Sequence, residues 1–397
     1  MTHDTNIPQG YKATALGIIP QEWEVMRLED LCHNQGDYGI NAPATDFSDK
    51  LPTYLRITDI DDDGKFIIAN KASVNNPNSG SYHLKDGDIV FARTGATVGK
   101  TYLYNRDDGD LVFAGFLIRF SPNVQKIVPY YLKAYTNTSA YWKWVKIASQ
   151  RSSQPGINAT EYCSLQIPVP PLAEQRKIAE VLGMWDEAIE KQVRLIEKLD
   201  LRKRALMQRL LSAKLRLPGF SEKWEEVELG EVLSYEQPTP YIVRDTNYQN
   251  NYKTPVLTVG KTFILGYTNE GNGICKNIPV ILFDDFTTDS RYIDFEFKVK
   301  SSATKLLRVK GQNNLYFIFC ALQCFKYPIG GHERHWISKF QYLTIALPSI
   351  EEQTAIAEVL TAADREIELA KEKLERLRRQ KRGLMQQLLT GKIRIKY

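Results

Sequence analysis

A chain that carries the same 51-residue stretch twice is constrained to a modular, repeated fold before any other property is considered. Residues 167–217, opening IPVPPLAEQRKIAEVL, align without a gap onto 345–395, opening IALPSIEEQTAIAEVL, at a shift of 178 positions and with 23 of 51 residues identical. Shared anchors include Pro170/Pro348, Glu174/Glu352, Gln175/Gln353, Asp186/Asp364 and the LMQxLL block at Leu206/Leu384. A shorter repeat precedes each copy: Trp23-Glu24-Val25-Met26-Arg27-Leu28 matches Trp224-Glu225-Glu226-Val227-Glu228-Leu229 at a shift of 201. The order is therefore variable region, helix, variable region, helix. It is also circular, because Lys214-Leu215-Arg216-Leu217 runs on into the Trp224 segment whereas Lys392-Ile393-Arg394-Ile395 ends the chain, where a segment like Ile18-Ile19-Pro20 would follow. This order predicts N- and C-termini that lie close together.

The repeated segment reads as a long helix with a seam. Apolar residues fall at Ile178, Leu182, Trp185, Ile189, Ile196, Leu199, Leu206 and Leu210, and again at Ile356, Leu360, Ala363, Ile367, Ala370, Leu374, Leu377, Leu384 and Leu388. Spacing that alternates four and three over four heptads describes a coiled-coil seam, although a helical bundle would use the same pattern. Pro170-Pro171 and Pro348 end extended structure before each helix, and Gly391 is a stop signal for the second. Each helix of some 40 residues would be about 60 Å long. Two copies related by a two-fold axis within one chain pair antiparallel, which places the variable regions at opposite ends of the rod. Lys203 and Lys381 occupy one equivalent seam position, where lysine either fixes register or extends its ammonium past the seam to water.

With 397 residues the chain holds two or more domains. Its net charge of +5 is unevenly placed: 172–216 carries 11 Lys/Arg against 7 Asp/Glu and 350–397 carries 11 against 8, leaving the variable regions slightly acidic. Any binding of nucleic acid there depends on local patches. The five cysteines, Cys32, Cys163, Cys275, Cys320 and Cys324, form no C-x-x-C pair, so neither a disulfide framework nor a zinc ribbon is indicated. The most apolar run, Leu315 to Phe325, is too short to span a bilayer, and the chain starts without a basic-then-apolar leader; the expected location is the cytoplasm.

The variable regions lack catalytic signatures. The short apolar strand Gly87–Ala92 leads into Arg93-Thr94-Gly95-Ala96-Thr97-Val98-Gly99-Lys100-Thr101, which resembles a P-loop but has threonine where that motif needs a glycine. Such a loop still brings backbone N–H groups near a phosphate, with Arg93 and Lys100 adding charge. A second basic and aromatic stretch joins Tyr141-Trp142-Lys143-Trp144 to Arg151, Ser152, Ser153 and Gln154, and Arg and Gln are the side chains that pair with guanine and adenine edges. Asp294, Glu296 and Lys298 contain the E-x-K of a metal-dependent nuclease without its Pro-Asp partner, and the same alternation fits a half-buried strand. Lys298, Lys300, Ser301, Ser302 and Lys305 then read as phosphate contacts, with Lys261 and Arg334 completing the candidate DNA-binding set. His332-Glu333-Arg334-His335 is one residue short of a zincin motif, and no methyltransferase tetrapeptide is present. A recognition or scaffold protein fits better than an enzyme; a nuclease and a purely structural linker are the competing classes.

The segments Ile19-Pro20-x-x-Trp23-Glu24-Val25, Ala92-Arg93-Thr94-Gly95 and Ile167-Pro168-Val169-Pro170-Pro171-Leu172-x-Glu174-Gln175, with the duplicated LMQxLL helix end, resemble type I restriction enzyme specificity subunits along essentially the whole chain. Pro255–Lys261, Phe283–Thr288 and Phe297–Ser302 are similar to a recurring recognition-domain type in that family. The resemblance implies an α+β protein: two mixed α/β target-recognition domains, 1–166 and 218–344, separated by two long helices, 167–217 and 345–397, in an antiparallel intramolecular coiled coil with a pseudo-two-fold circular repeat. Each domain would read one half of a bipartite double-stranded DNA site. The helices would set the half-site spacing and dock two modification subunits, with Ile178, Leu182, Trp185, Ile189, Leu199, Leu206, Ile356, Leu360, Ile367, Leu377 and Leu384 as docking and seam residues. This chain would be non-catalytic and hold no cofactor or metal. S-adenosylmethionine would belong to the modification subunits that methylate adenine, and ATP and Mg to separate restriction subunits.

Overall fold

Helix-favouring Ala, Leu, Glu, Lys and Arg dominate the duplicated segment, and it folds accordingly. In the computed structural model, which describes residues 7–151, 154–260, 262–325 and 335–396, the two long helices are Leu172–Leu210 and Ile350–Leu388. Each has 39 residues, and their limits differ by the repeat shift. Both end in the same left-handed turn: Gly391 has φ 71° and its repeat counterpart Ala213 has φ 56°. In both turns an N–H reaches back six residues to a helix carbonyl, Leu215 to Arg209 at 3.0 Å and Ile393 to Gln387 at 3.3 Å. The left-handed residues themselves donate back to Leu210 and Leu388, each at 3.3 Å, so the turn satisfies carbonyls the helix leaves open.

The chain divides into two units, one formed by residues up to Lys191 together with those from Leu374 onward, the other by Gln192–Lys373. Both long helices therefore contribute to both units. In the first unit the strand after Trp23, Glu24–Arg27, pairs antiparallel with the strand before the helix, Gln166–Val169. The two signals that bracket the variable region thus close on each other. Between them lie two four-stranded sheets. One has the order Leu111–Phe113, Thr53–Leu55, Ala72–Ser73, Thr45–Asp46; the other has Asp37–Tyr38, Leu117–Phe120, Ile89–Ala92, Thr101–Leu103. Trp23, Phe91, Phe120, Tyr131 and Tyr162 form a core with Ile178 and Leu182 of the first helix and Met385 and Leu388 of the second.

The second unit repeats the plan. Glu225–Glu228 pairs antiparallel with Thr344–Leu347. A four-stranded sheet follows in the order Leu233–Glu236, Thr304–Val309, Val280–Asp284, Ser290–Ile293, with a three-stranded sheet of Ile264–Thr268, Thr254–Leu257 and Lys298–Val299. Its main core joins Phe283, Phe317, Trp336 and Phe340 to Leu210, Ile356 and Leu360.

Within each unit the two helices run antiparallel: Asp186 meets Lys381 in the first, and Lys203 meets Asp364 in the second. Leu199 packs with Ile367 and Ala370, and the Gln192 amide donates to the carbonyl of Ala370, its own repeat counterpart, at 2.9 Å. The expected strict seam needs correction. Ile178, Leu182, Ile356 and Leu360 are buried in the cores of the globular parts, and Leu206 and Leu384 rest against those cores. Trp185, Ile189 and Leu377 are only half-buried. Each helix faces both a partner helix and a globular body, so its apolar stripe is broader than a two-residue heptad seam requires.

Candidate nucleic-acid interface

The fully buried strand Ile89–Ala92 carries Arg93 to the surface of the first unit. A single 3-10 turn, Gly95–Thr97, reverses the chain into Thr101–Leu103, which pairs back antiparallel. The loop is thus a hairpin connection. A P-loop needs a helix N-terminus behind its glycines, and this one has a strand, so the likeness to a nucleotide-binding P-loop falls. Gly95 and Gly99 take φ 74° and 86°, where a side chain would strain the backbone.

The segment after Arg151 lies directly alongside this loop. Thr94 and Gly156 form an antiparallel bridge, the Gly95 N–H donates to Pro155 at 3.0 Å, and Ile157 donates to the Arg93 carbonyl at 2.8 Å. A Cβ on Gly95 would stand 3.2 Å from the Gln154 amide nitrogen. Two stretches read separately in the sequence therefore make one surface of Arg93, Thr94, Gly95, Thr97 and Gln154. Arg151 is paired with Glu161 and donates to the Ala148 and Gln150 carbonyls at 3.1 and 2.8 Å. Lys100 holds Asp62 at 2.6 Å. Ser153 lies outside the described residues. Of the aromatics, Tyr141 is core and donates to the Gly99 carbonyl at 2.7 Å, whereas Trp142 is exposed.

Two polar atoms of this surface, Arg93 Nε and Thr97 Oγ1, are buried without a hydrogen-bond partner among the described residues. The Arg93 guanidinium lies 4.7 Å above the ring of the exposed Tyr38. Sequence reasoning missed Tyr38 because it comes from an edge strand more than fifty positions away.

The second unit revises the candidate set. Lys298 is buried, with its ammonium 2.9 Å from Glu270 and 2.6 Å from the Asn272 carbonyl. Lys305 is buried too, donating to the Ser302 carbonyl at 2.6 Å and to Gln237 at 3.0 Å. Both lysines are internal ties, since their strands turn them inward, and neither is offered to a phosphate. Lys300 remains exposed above the Tyr248 ring, next to exposed Ser301 and Ser302. Glu296 is exposed while Lys298 is buried on Glu270, so the E-x-K pair does not converge as a nuclease site would require. Lys261 and Arg334, with His332 and Glu333, lie outside the described residues. Among the described residues no cluster of three His, Cys, Asp or Glu is placed to hold a metal.

The scaffold itself carries two polar constellations, each built once per unit. In the first unit the Trp23 indole donates to Glu174 at 3.0 Å, and Arg394 grips both oxygens of that carboxylate at 2.6 and 2.8 Å. In the second, Trp224 donates to Glu352 at 2.9 Å and Arg216 grips it at 2.7 and 2.8 Å. Both glutamates are fully buried, where a bidentate guanidinium is the strongest available partner. The second constellation joins Tyr130, Asp186 and Lys381, and again Tyr316, Asp364 and Lys203. Burial and the adjacent carboxylate push both tyrosine hydroxyls well above their ordinary range. A signal for the charged members was available, since Glu174, Asp186, Lys203 and Arg216 are identical in the second copy, but the two tyrosines lie outside the repeat.

The family profile described as the type I restriction modification DNA specificity domain matches residues 20–199 and again 221–379. The chain belongs to that family. It is a non-catalytic specificity subunit. Over 98% of its length it is 28% identical to the MjaX specificity subunit of Methanocaldococcus jannaschii, covering 97% of that protein. It is 44% identical to the EcoR124I/EcoR124II specificity subunit of Escherichia coli over a third of each chain, 33% of this one and 34% of that one. The crystal structure of the S subunit from M. genitalium superposes with a TM-score of 0.57 at 15% identity, covering 92% of this specificity subunit and 96% of that chain. No helix among its described residues is long and apolar enough to cross a membrane.

Proposed function

We propose that this specificity subunit directs adenine methylation and restriction to a bipartite DNA sequence, in the cytoplasm, with one recognition domain for each half. The domains are residues 1–166 and 218–344, and the spacers are 167–217 and 345–397. The first domain presents Arg93, Thr94, Gly95, Thr97 and Gln154 to one half-site, and the second presents Lys300, Ser301 and Ser302 to the other. The helices set the length of the unread spacer and dock two modification subunits. Those subunits carry S-adenosylmethionine, and restriction subunits supply cleavage driven by ATP and Mg.

The observation that carries this reading is the duplicated framework: two dissimilar inserts closed by the same strand pair and the same Trp–Glu–Arg clamp. Constant mounts holding different surfaces suit a protein that reads two different half-sites. The test is a genome-wide map of methylated adenines in the host with and without this gene. A bipartite motif that vanishes with the gene is the expected result, and an unchanged map would refute the proposal.

A further inference from the structure

Other arginines of the first unit are engaged by carboxylates: Arg119 holds Asp37 at 2.8 Å, and Arg56 holds Asp59 at 2.7 Å. Arg93 is half-buried, yet among the described residues no carboxylate pairs with it and its Nε has no acceptor. The nearest acid in sequence to its stacking partner, Asp37, is already taken by Arg119 and Asn34. What Arg93 has instead is a fixed plane. Its backbone is pinned on both sides, the N–H donating to Phe116 at 3.0 Å and the carbonyl accepting from Ile157 at 2.8 Å. Its guanidinium rests on the Tyr38 ring, and that ring is tethered in turn, its hydroxyl accepting from the Ala159 N–H at 3.1 Å.

A phosphate also takes a guanidinium fork through two oxygens, but its oxygens face several directions and impose no single plane. A planar fork with a set orientation suits two coplanar acceptors, and on a duplex the O6 and N7 of guanine in the major groove supply them. We propose that Arg93 reads one guanine in the half-site of the first unit, and that Tyr38 is the positioning residue that fixes the guanidinium plane. The inference rests on the half-site reading above and adds a base and a residue to it.

The experiment replaces the chromosomal gene by full-length variants in the native host and maps methylated adenines genome-wide. Wild type comes first: absence of any gene-dependent bipartite motif would refute the half-site reading itself, before the question of guanine arises. Given a motif, Arg93→Gln is expected to lower the preference for guanine at one position of one half by roughly ten- to a hundredfold, the worth of one bidentate contact. Tyr38→Leu should relax that same position, and Tyr38→Phe, which keeps the ring but drops the hydroxyl tether, should relax it less. A motif unchanged by Arg93→Gln, or weakened alike at every position, would overturn the assignment. Should that variant fail to accumulate, the Tyr38 pair decides: greater relaxation with leucine than with phenylalanine supports the proposal, and equal behaviour of the two overturns it.

Discussion

Lys133 is a buried cation whose ammonium touches Thr101 Oγ1 at 3.1 Å and Asn137 Oδ1 at 3.4 Å, under Gly64. Burial, together with the like charge of Lys381, pushes it down to about 8. In the unfolded chain lysine titrates near its ordinary 10.5. Below pH 8 it is charged in both states, and the folded state bears the full cost of burying the charge. Between 8 and 10.5 the unfolded state binds the extra proton, so stability rises with pH and the cost disappears. Lys133→Met should therefore be more stable than wild type below pH 8, by an amount that shrinks toward pH 10.5; melting curves across that range check it, and a constant difference would contradict it. Gly391 is a second decisive residue. A Cβ there would come within 2.3 Å of Pro20 Cδ, while its counterpart Ala213 already carries one in the same conformation. Gly391→Ala should lower the melting temperature sharply, and Ala213→Gly should gain up to about 1 kcal/mol by relieving the left-handed strain. The sequence marks Gly391 as a helix stop; the reason alanine serves at one stop and not at the other is a close approach that no local pattern contains.

At the scale of elements, the helices were the most legible part of the chain, because heptad spacing and flanking prolines act locally. The partners of their polar seam positions were not. Lys203 and Lys381 neither idle in water nor act alone, for each is bound to an aspartate that also holds a tyrosine of the globular part. Removing the lysine leaves a partly shielded carboxylate without its cation. The double variant Lys203→Leu/Lys381→Leu is therefore expected to melt earlier, losing about 1 kcal/mol per site once solvent exposure of the aspartates is allowed for. A higher melting temperature would mean that hydrophobic seam packing outweighs the ion pairs. In the variable regions the sequence located the Arg93 loop and the Gln154 stretch but not their juxtaposition, which depends on a bridge between residues 62 positions apart, Thr94 and Gly156. It also placed Lys298 and Lys305 at a surface, because alternation along a strand does not reveal which face is covered.

Across the whole molecule, the circular order written in the repeats is realised in atoms. The Tyr11 hydroxyl donates to the Gly391 carbonyl at 3.0 Å, and Arg394 reaches both Glu22, at 2.8 Å, and Glu174. Each unit is thereby finished by the tail of the other repeat: the first by Arg394, the second by Arg216. This inverts the usual polarity of genetic damage. A premature stop codon just beyond codon 372 would delete Met385, Leu388 and Arg394 and leave every residue of Gln192–Lys373 but the last in place. The lesion falls in the second copy of the repeat, yet the part it should unfold is built around the first variable region. Hydrogen exchange on the truncated protein should find protection lost around Trp23 and kept around Trp224. A gene whose ends are joined and reopened between the codons for Pro218 and Gly219 should be silent by the same measure, since that frame has two equivalent places at which to begin.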